Sequence, residues 1–331
     1  MSRIRKLCLF DKKKIYDMVS FLNNETADSY LDKLIFNPLL ILHYILPLKL
    51  KYLPESYVLK DGKDIKGLIT VAPIGKNTNR IEIKKLFFEE TSYNVAIELV
   101  QYVVSKYKAM GASSIMVKVD DCLPELITTF ISKCNFCQIS YEKLWRINRF
   151  PELNYNKKVF RSFSNSDAKA VVNLYNDSLL PHFRPFLGKS VREFEENIFK
   201  GLSLYSNFSY VIEEEGTKNI IGYITIQTFD NENFIINFIQ SNWVEIDVNM
   251  IIKFASDKIL KRKKKFGLFL KTNRYTNFGN KYEKTLMEQD FECLSNQALL
   301  TNSSAKLLES EAKSGKYTLV NDFYPTKIMP V

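Results

Sequence analysis

The sequence predicts an α/β (α+β) chain built from two copies of one fold, each a mixed sheet covered by helices on both faces. Three observations carry this. Four blocks of the first half return in the second half in the same order. Helix-period and strand-period segments alternate within each half. At 331 residues with 46% apolar composition, the chain is long enough and apolar enough for two ordinary domains.

The repeated blocks define the elements. "IYDMVSFLNN" (15–24) and "AKAVVNLYND" (168–177) lie 153 residues apart, and both read as amphipathic helices after a short N-terminal strand. "IKGLITVAPI" (65–74) and "IIGYITIQTF" (220–229) lie 155 apart, each a strand entered through glycine after the polar turns "KDGKD" and "EEEGTKN". "SIMVKVD" (114–120) matches "GLFLKTN" (267–273) at 153. "ISKCNFCQISYEKLWRI" from 131 aligns with "LMEQDFECLSNQALLTN" from 286, each a helix end, a phenylalanine and a terminal strand. Short apolar strings do not keep register by chance over a domain's length. The expected partition is residues 1–150, a linker at 151–157 within "NRFPELNYNKK", and 158–331, because a proline and polar residues break the pattern there. "GKYTLVNDFYPTKIMPV" (315–331) has no equivalent in the first copy and is free to complete a sheet in either half.

Composition narrows the function classes. The formal charge of +10 favours anionic partners without naming one. "MSRIRKLCLFDKKK" lacks the apolar core of a secretory signal, and no stretch reaches the ~20 apolar residues of a membrane helix, so the expected location is cytoplasmic. Five scattered cysteines suit a reducing compartment. Cys134 and Cys137 have zinc-knuckle spacing, but no second pair or nearby histidine completes a tetrahedral set. With His43 and His182 as the only histidines, triad or histidine-metal chemistry is poorly supplied. "KRKKK" (261–265) closes a helix, where cations complement the helix dipole, so nucleic acid is not the expected partner.

"KKLFFEETSYNVAIELVQYV" (84–103) runs from a strand directly into a helix. Val95, Leu99, Val100, Val103, Val104 and Tyr107 share one stripe, which fixes the helix start against a sheet and makes its N-terminal amides a usable anion site.

This order of elements resembles the GNAT superfamily of acyl-CoA N-acyltransferases, as a tandem pair of mostly antiparallel sheets covering nearly the whole chain. "VFRSFSNSDAKAVVNLYNDSL" (159–179) is similar to the family's first strand and helix, and "NKYEKTLMEQDF" to its fourth helix. The resemblance implies acetyl-CoA or another acyl-CoA as cofactor and an amine as acceptor, a small molecule or a protein. The family's pyrophosphate loop, Gln or Arg, two residues, Gly, one residue, Gly or Ala, falls on "TSYNVA": Thr91 and Asn94 depart from it and Ala96 fits. Asparagine enters left-handed backbone more easily than most residues, and the Thr91 and Ser92 hydroxyls can serve phosphate. The implied cofactor residues are Phe87, Phe88, Thr91, Ser92, Tyr93, Asn94, Val95 and Ala96. The second copy enters its helix through "WVEID", and Glu245 and Asp247 there would repel pyrophosphate, so this half is expected to be the more degenerate, structural one.

The resemblance also implies a tyrosine five residues before the phenylalanine of the next strand, where this chain has Ile131 and Leu286; Tyr282 lies one turn earlier. For a general base it implies a carboxylate on the fourth strand: Glu82 is nearest, with Asp120 and Asp121 at the end of the fifth strand in reserve. The apolar run 34–54 takes the place of the family's acceptor-site wall. Two readings stay open: an N-acyltransferase, and a non-catalytic binding or assembly protein that keeps the fold and meets a protein partner.

Overall fold

A computed structural model of the chain describes residues 3–19, 54–74, 77–89, 92–195, 206–228 and 231–303. The run 34–53, His43, Thr91 and the segment 315–331 lie outside the described residues.

The first repeat comprises β1 (Arg3–Lys6), α1 (Lys12–Val19), β2 (Glu55–Asp61), β3 (Asp64–Ile74), β4 (Asn77–Phe88), α2 (Tyr93–Ala109), β5 (Ser114–Asp120), α3 (Pro124–Cys134) and β6 (Cys137–Ile147). The second comprises β7 (Phe160–Ser162), α4 (Ala168–Ser178), the one-turn helices α5 (Arg184–Leu187) and α6 (Val191–Phe194), β8 (Ser206–Glu213), β9 (Ile220–Thr228) and β10 (Asn233–Gln240). It continues with α7 (Val248–Leu260), β11 (Gly267–Asn273), α8 (Gly279–Glu288) and β12 (Glu292–Ser303). Apart from α5 and α6, whose place in the first repeat lies outside the described residues, the two repeats match element for element, and small features repeat with them. Asn135 and Asp290 both take left-handed backbone (φ 56° each). Each turns its chain into the phenylalanine that leads to the terminal strand, where Phe136 N–H donates to Phe130 O and Phe291 N–H to Leu286 O, both at 3.1 Å.

All twelve strands join one sheet in the order β1-β2-β3-β4-β5-β12-β6-β11-β10-β9-β8-β7. The order is a palindrome with its centre between β12 and β6. Pairing is antiparallel except for β4 with β5 and β10 with β11. The repeats therefore exchange their last strands: β12 of the second pairs with β5 of the first, and β6 of the first pairs with β11 of the second. Residues 148–156 run without helix or strand, as the proline and polar residues there lead one to expect, but the sheet and the core pass across that point.

Alternation along the central strands sets the layers. Ile115, Val117 and Val119 of β5 face a core closed by α2 and α3, where Leu99, Val100, Val103 and Phe130 are buried. Each such aliphatic side chain contributes about 1.5–3 kcal/mol. Met116 of β5 and Leu299 of β12 face the other way and pack against Val171, Val172 and Tyr175 of α4. A helix of the second repeat thus reaches β5 of the first. Arg80 of β4 ties this layer down. Its guanidinium donates to Gly188 O at 2.5 Å and Phe186 O at 2.9 Å, and it pairs with Glu193 at 3.5 Å.

Candidate functional site

In each repeat two parallel strands pair at one end and part at the other. β4 and β5 pair from Arg80↔Ser114 to Ile83↔Val117. Beyond that point Lys85–Phe88 pair with β3 alone, and Lys84 is an extra residue between Ile83↔Val71 and Lys85↔Thr70. A one-residue bulge bends and twists its strand, so β4 leaves β5 at the bulge and a notch opens. α2 follows β4 and packs on β2, β3 and β4. Gly67 on β3 brings it close, because a Cβ there would lie 2.5 Å from Val95 Cγ1 and 2.9 Å from Leu99 Cδ1. Ala96, small and buried, continues the contact.

The cap position of α2 holds no acid. Ser92 is its N-cap residue, its side chain makes no capping bond to the helix, and the first turn holds no carboxylate. Phe88 and Tyr93 flank the joint with ring centroids 5.7 Å apart. Asn94 is exposed and lies inside the right-handed helix, not among the residues with left-handed backbone. The left-handed tolerance of asparagine is therefore not what lets it stand here, since any helical residue fits. Among the expected cofactor residues, the structure gathers Phe88, Ser92, Tyr93, Asn94, Val95 and Ala96 at the joint, while Phe87 packs against the small core under α1.

The second repeat fills the notch but leaves a cavity of about 270 Å³ at the start of α7, lined by Glu245, Asp247, Lys281 and Tyr282. β10 and β11 pair through Asn237↔Lys271, after which Phe238, Ile239 and Gln240 pair with β9 without a bulge. Tyr282 of α8 donates its hydroxyl to Gln240 Oε1 and to Ile246 O at 3.4 Å, and its ring sits 5.9 Å from Phe238. The cavity left there is about 20 Å³, room for about one water. Asp247 accepts from Asn249 N–H at 2.9 Å and so caps its own helix, and Glu245 pairs with Lys281 at 2.5 Å. Gly279 at the start of α8 tolerates no side chain, because a Cβ would stand 1.6 Å from Asn273 O. At the two positions the resemblance gives to a tyrosine, Ile131 is 42% exposed and Leu286 is fully buried.

The expected bases are held as ions. Burial pushes the Glu82 carboxyl up, but Lys84, Lys118 and Lys271 outweigh it and hold it at about 2. Glu82 pairs with Lys84 and with Lys118 at 3.8 Å. Asp120 is also held below the usual carboxylate range, burial being outweighed by hydrogen bonds from Cys122 N–H at 3.3 Å and the Ser295 hydroxyl at 2.9 Å. Both are weak proton acceptors at neutral pH. Glu82 belongs instead to a chain of charges across the middle of the sheet. Lys118 pairs with Oε2 of buried Glu142 at 2.9 Å, Lys271 pairs with the same oxygen, and the Tyr275 hydroxyl donates to Oε1 at 2.8 Å. Burial would raise the Glu142 carboxyl, but Lys118 and Lys271 pull it well below the ordinary range.

Sequence reasoning missed this cluster, although its signal was present. Lys118 and Lys271 occupy the same place in the matched strings "SIMVKVD" and "GLFLKTN", each a lysine inside an otherwise apolar strand. Strand exchange brings the two equivalents to one carboxylate.

The low carboxyl values carry a stability consequence. In Glu55, burial is outweighed by hydrogen bonds from Tyr57 and Tyr107 and by Lys6, again to about 2. A depressed carboxyl contributes stability above its unfolded value near 4.5, and the contribution disappears as pH falls toward 2. Glu55 and Glu82 together are expected to remove several kcal/mol between about pH 4.5 and 2. Denaturant unfolding at pH 7, 4 and 3 checks this, and Glu55→Gln should flatten the acid limb.

Among the described residues no three His, Cys, Asp or Glu side chains are placed to hold a metal, and no helix is long and apolar enough to cross a membrane. Cys134 is buried and Cys137 exposed. Lys261–Lys265 follow α7; Lys263 pairs with Glu232 at 3.1 Å and Arg262 lies 4.0 Å over the Phe208 ring.

Comparison with known proteins agrees with this geometry. No family model matches the sequence, and no curated protein matches it. Solved structures do. The tandem GNAT protein from the clavulanic acid biosynthesis pathway superposes with a TM-score of 0.59 at 9% identity, over 92% of this chain and 98% of that one. The GCN5-related N-acetyltransferase from Sphaerobacter thermophilus gives 0.57 at 10% identity, over 91% and 95%. Identities this low speak to architecture alone. With the palindromic sheet, the two strand notches and the helix that follows each, they establish that this chain has the tandem GNAT fold.

Proposed function

We propose that the chain is an acyl-CoA-dependent N-acyltransferase that moves an acyl group, acetyl in the simplest case, to an amine at the first repeat, while the second repeat is structural. The observation that supports this reading is the difference between the two strand-to-helix joints. The first has a bulged, parted strand and a helix whose cap residue, Ser92, is uncharged and makes no capping bond. The second has a filled notch and a self-capped helix whose adjoining cavity is lined by the carboxylates Glu245 and Asp247.

The first joint suits the cofactor's phosphates, since the amides of a helix start attract anions and Gly67 keeps that start seated on the sheet. Acetyl-CoA, when bound, supplies an acyl carbon activated as a thioester. Ser92 and the first turn of α2 are the groups to meet phosphate. The main chain of Lys85–Phe88, on the side that β5 leaves, offers an edge for an extended ligand. In the transfer the nitrogen of the neutral amine would bond to the acyl carbon and the carbon–sulfur bond would break, the proton lost by nitrogen passing to solvent and the departing thiolate taking one from solvent to leave as the thiol. Glu82, kept ionised, orients an approaching ammonium instead of removing its proton.

The second reading, a protein that keeps the fold without turnover, is favoured by one observation: Glu82 and Asp120 are both held ionised. The two readings part at the cofactor and at release of free thiol. The Asn94 position tests the first. Asn94→Gly should keep or tighten acetyl-CoA affinity at a cost of up to about 1 kcal/mol in helix stability. Asn94→Asp should weaken affinity severalfold, because a carboxylate in the first turn repels phosphate while stabilising the empty helix. Equal dissociation constants for all three proteins, measured by calorimetry, would place the ligand elsewhere.

A further inference from the structure

The charge cluster between the two notches is unbalanced. Lys84, Lys118 and Lys271 surround Glu82 and Glu142. Next to them lie Arg80, already engaged with Glu193, and Lys189. Five cations thus face three carboxylates. Lys189 has no ion pair to a carboxylate among the described residues; its ammonium lies 4.5 Å from the Tyr175 ring centroid and 5.1 Å from that of Phe194. An excess of positive charge in a half-buried place is costly unless an anion offsets it. The strain shows in the lysines: burial, with Arg80 and Lys118 adding to it against Glu193, lowers Lys189 to about 8. Lys271 is lowered as well, by burial and by Lys118, whereas for Lys118 burial is outweighed by Glu142 and Glu82, which raise it. The place stays within reach of solvent, since the side chains of Lys84, Lys118 and Lys271 keep 31%, 29% and 24% of their exposure.

We propose that Lys118, Lys271 and Lys189 form an anion seat over the middle of the sheet, between the two notches, and that the amine acceptor carries a carboxylate or phosphate group held there. The second half then has a chemical part in the site, because Lys271 and Lys189 come from it. The proposal rests on the first notch being the acyl-transfer site. The seat orients the acceptor by its anionic end and leaves its amine toward the parted strands, and the ligand restores the missing charge.

The test is calorimetric titration of the full chain at pH 7 and fixed ionic strength with malonate and, separately, with inorganic phosphate. One saturable site is expected, and its affinity should fall at least tenfold in Lys189→Met and in Lys271→Met. Lys189→Arg, which keeps the charge, should retain binding, and so should Lys264→Met, which changes the distant basic run. Tighter malonate assigns a carboxylate acceptor and tighter phosphate a phosphorylated one. No saturable heat with either anion, or unchanged affinity in both methionine variants, overturns the seat. Acetyl-CoA titrated in parallel keeps the claims apart. Anion binding without acetyl-CoA binding leaves the seat standing and sinks the acyl-transfer reading, and the reverse result sinks the seat alone.

Discussion

A chain ending at Phe291 is expected to lose the cooperative fold of both halves, not of the second half alone. β12 sits in the middle of the sheet, where it pairs with β5 along one edge and β6 along the other. Its removal takes away both ladders and the buried side chains of Ala298, Leu299 and Leu300, which are at most 2% exposed. The aliphatic burial alone is worth several kcal/mol, against a typical total stability of about 5–15 kcal/mol. Two unpaired strand edges would also be left open to association. Circular dichroism during denaturant unfolding should show no sigmoidal transition for the truncated chain. Leu300→Asp, which keeps the strand but buries a charge, should lower the stability of the whole chain in a single step. A truncated protein in which the first repeat still unfolds cooperatively would contradict the exchange of strands.

Glu142→Gln is expected to destabilise the protein by about 3–5 kcal/mol, the cost of leaving buried cations without their partner. Glu142 is 4% exposed and faces Lys118, Lys271 and the Tyr275 hydroxyl. The amide keeps the shape and the hydrogen-bond acceptor but removes the charge that both lysines use. Adding Lys118→Met to Glu142→Gln should recover part of the loss, since one of the stranded ammonium groups is then gone. A loss under about 1 kcal/mol would show that solvent, not Glu142, balances the lysines.

The sequence made the repeat legible, because amphipathic period and glycine-entered strands recur at a nearly constant offset, and those local features survive without any particular site. The equivalent strands bearing Gly67 and Gly222 were found this way, and both glycines prove to be close approaches, to Val95 and Leu99 in one case and to Ile212 in the other. The exchange of β6 and β12 was not legible. A repeat reports which elements exist, whereas the strand that β5 accepts is decided by where the two halves sit, a pairing across more than 170 residues. The same distance hid the charge cluster, because Lys118, Glu142 and Lys271 meet only after that exchange. Glu82 was placed correctly on the fourth strand. Its environment was invisible, since the lysines that hold it ionised come from its own strand, the next strand and the other half. Asn94 was read through left-handed backbone, yet the helix had already begun at Tyr93, so the position asks only for a residue that fits a first turn.

Titration of the intact chain with acetyl-CoA tests the central claim most directly. The account predicts one site per chain, with binding abolished or weakened at least tenfold by Ser92→Asp at the start of α2 and unchanged by Asp247→Ser at the start of α7. Two sites per chain, or a single site that Asp247→Ser alters and Ser92→Asp does not, would contradict the assignment of the cofactor to the first repeat. No heat at ~1 mM ligand, where even an interaction of about 4 kcal/mol half-saturates, would show that the chain keeps the fold without the chemistry.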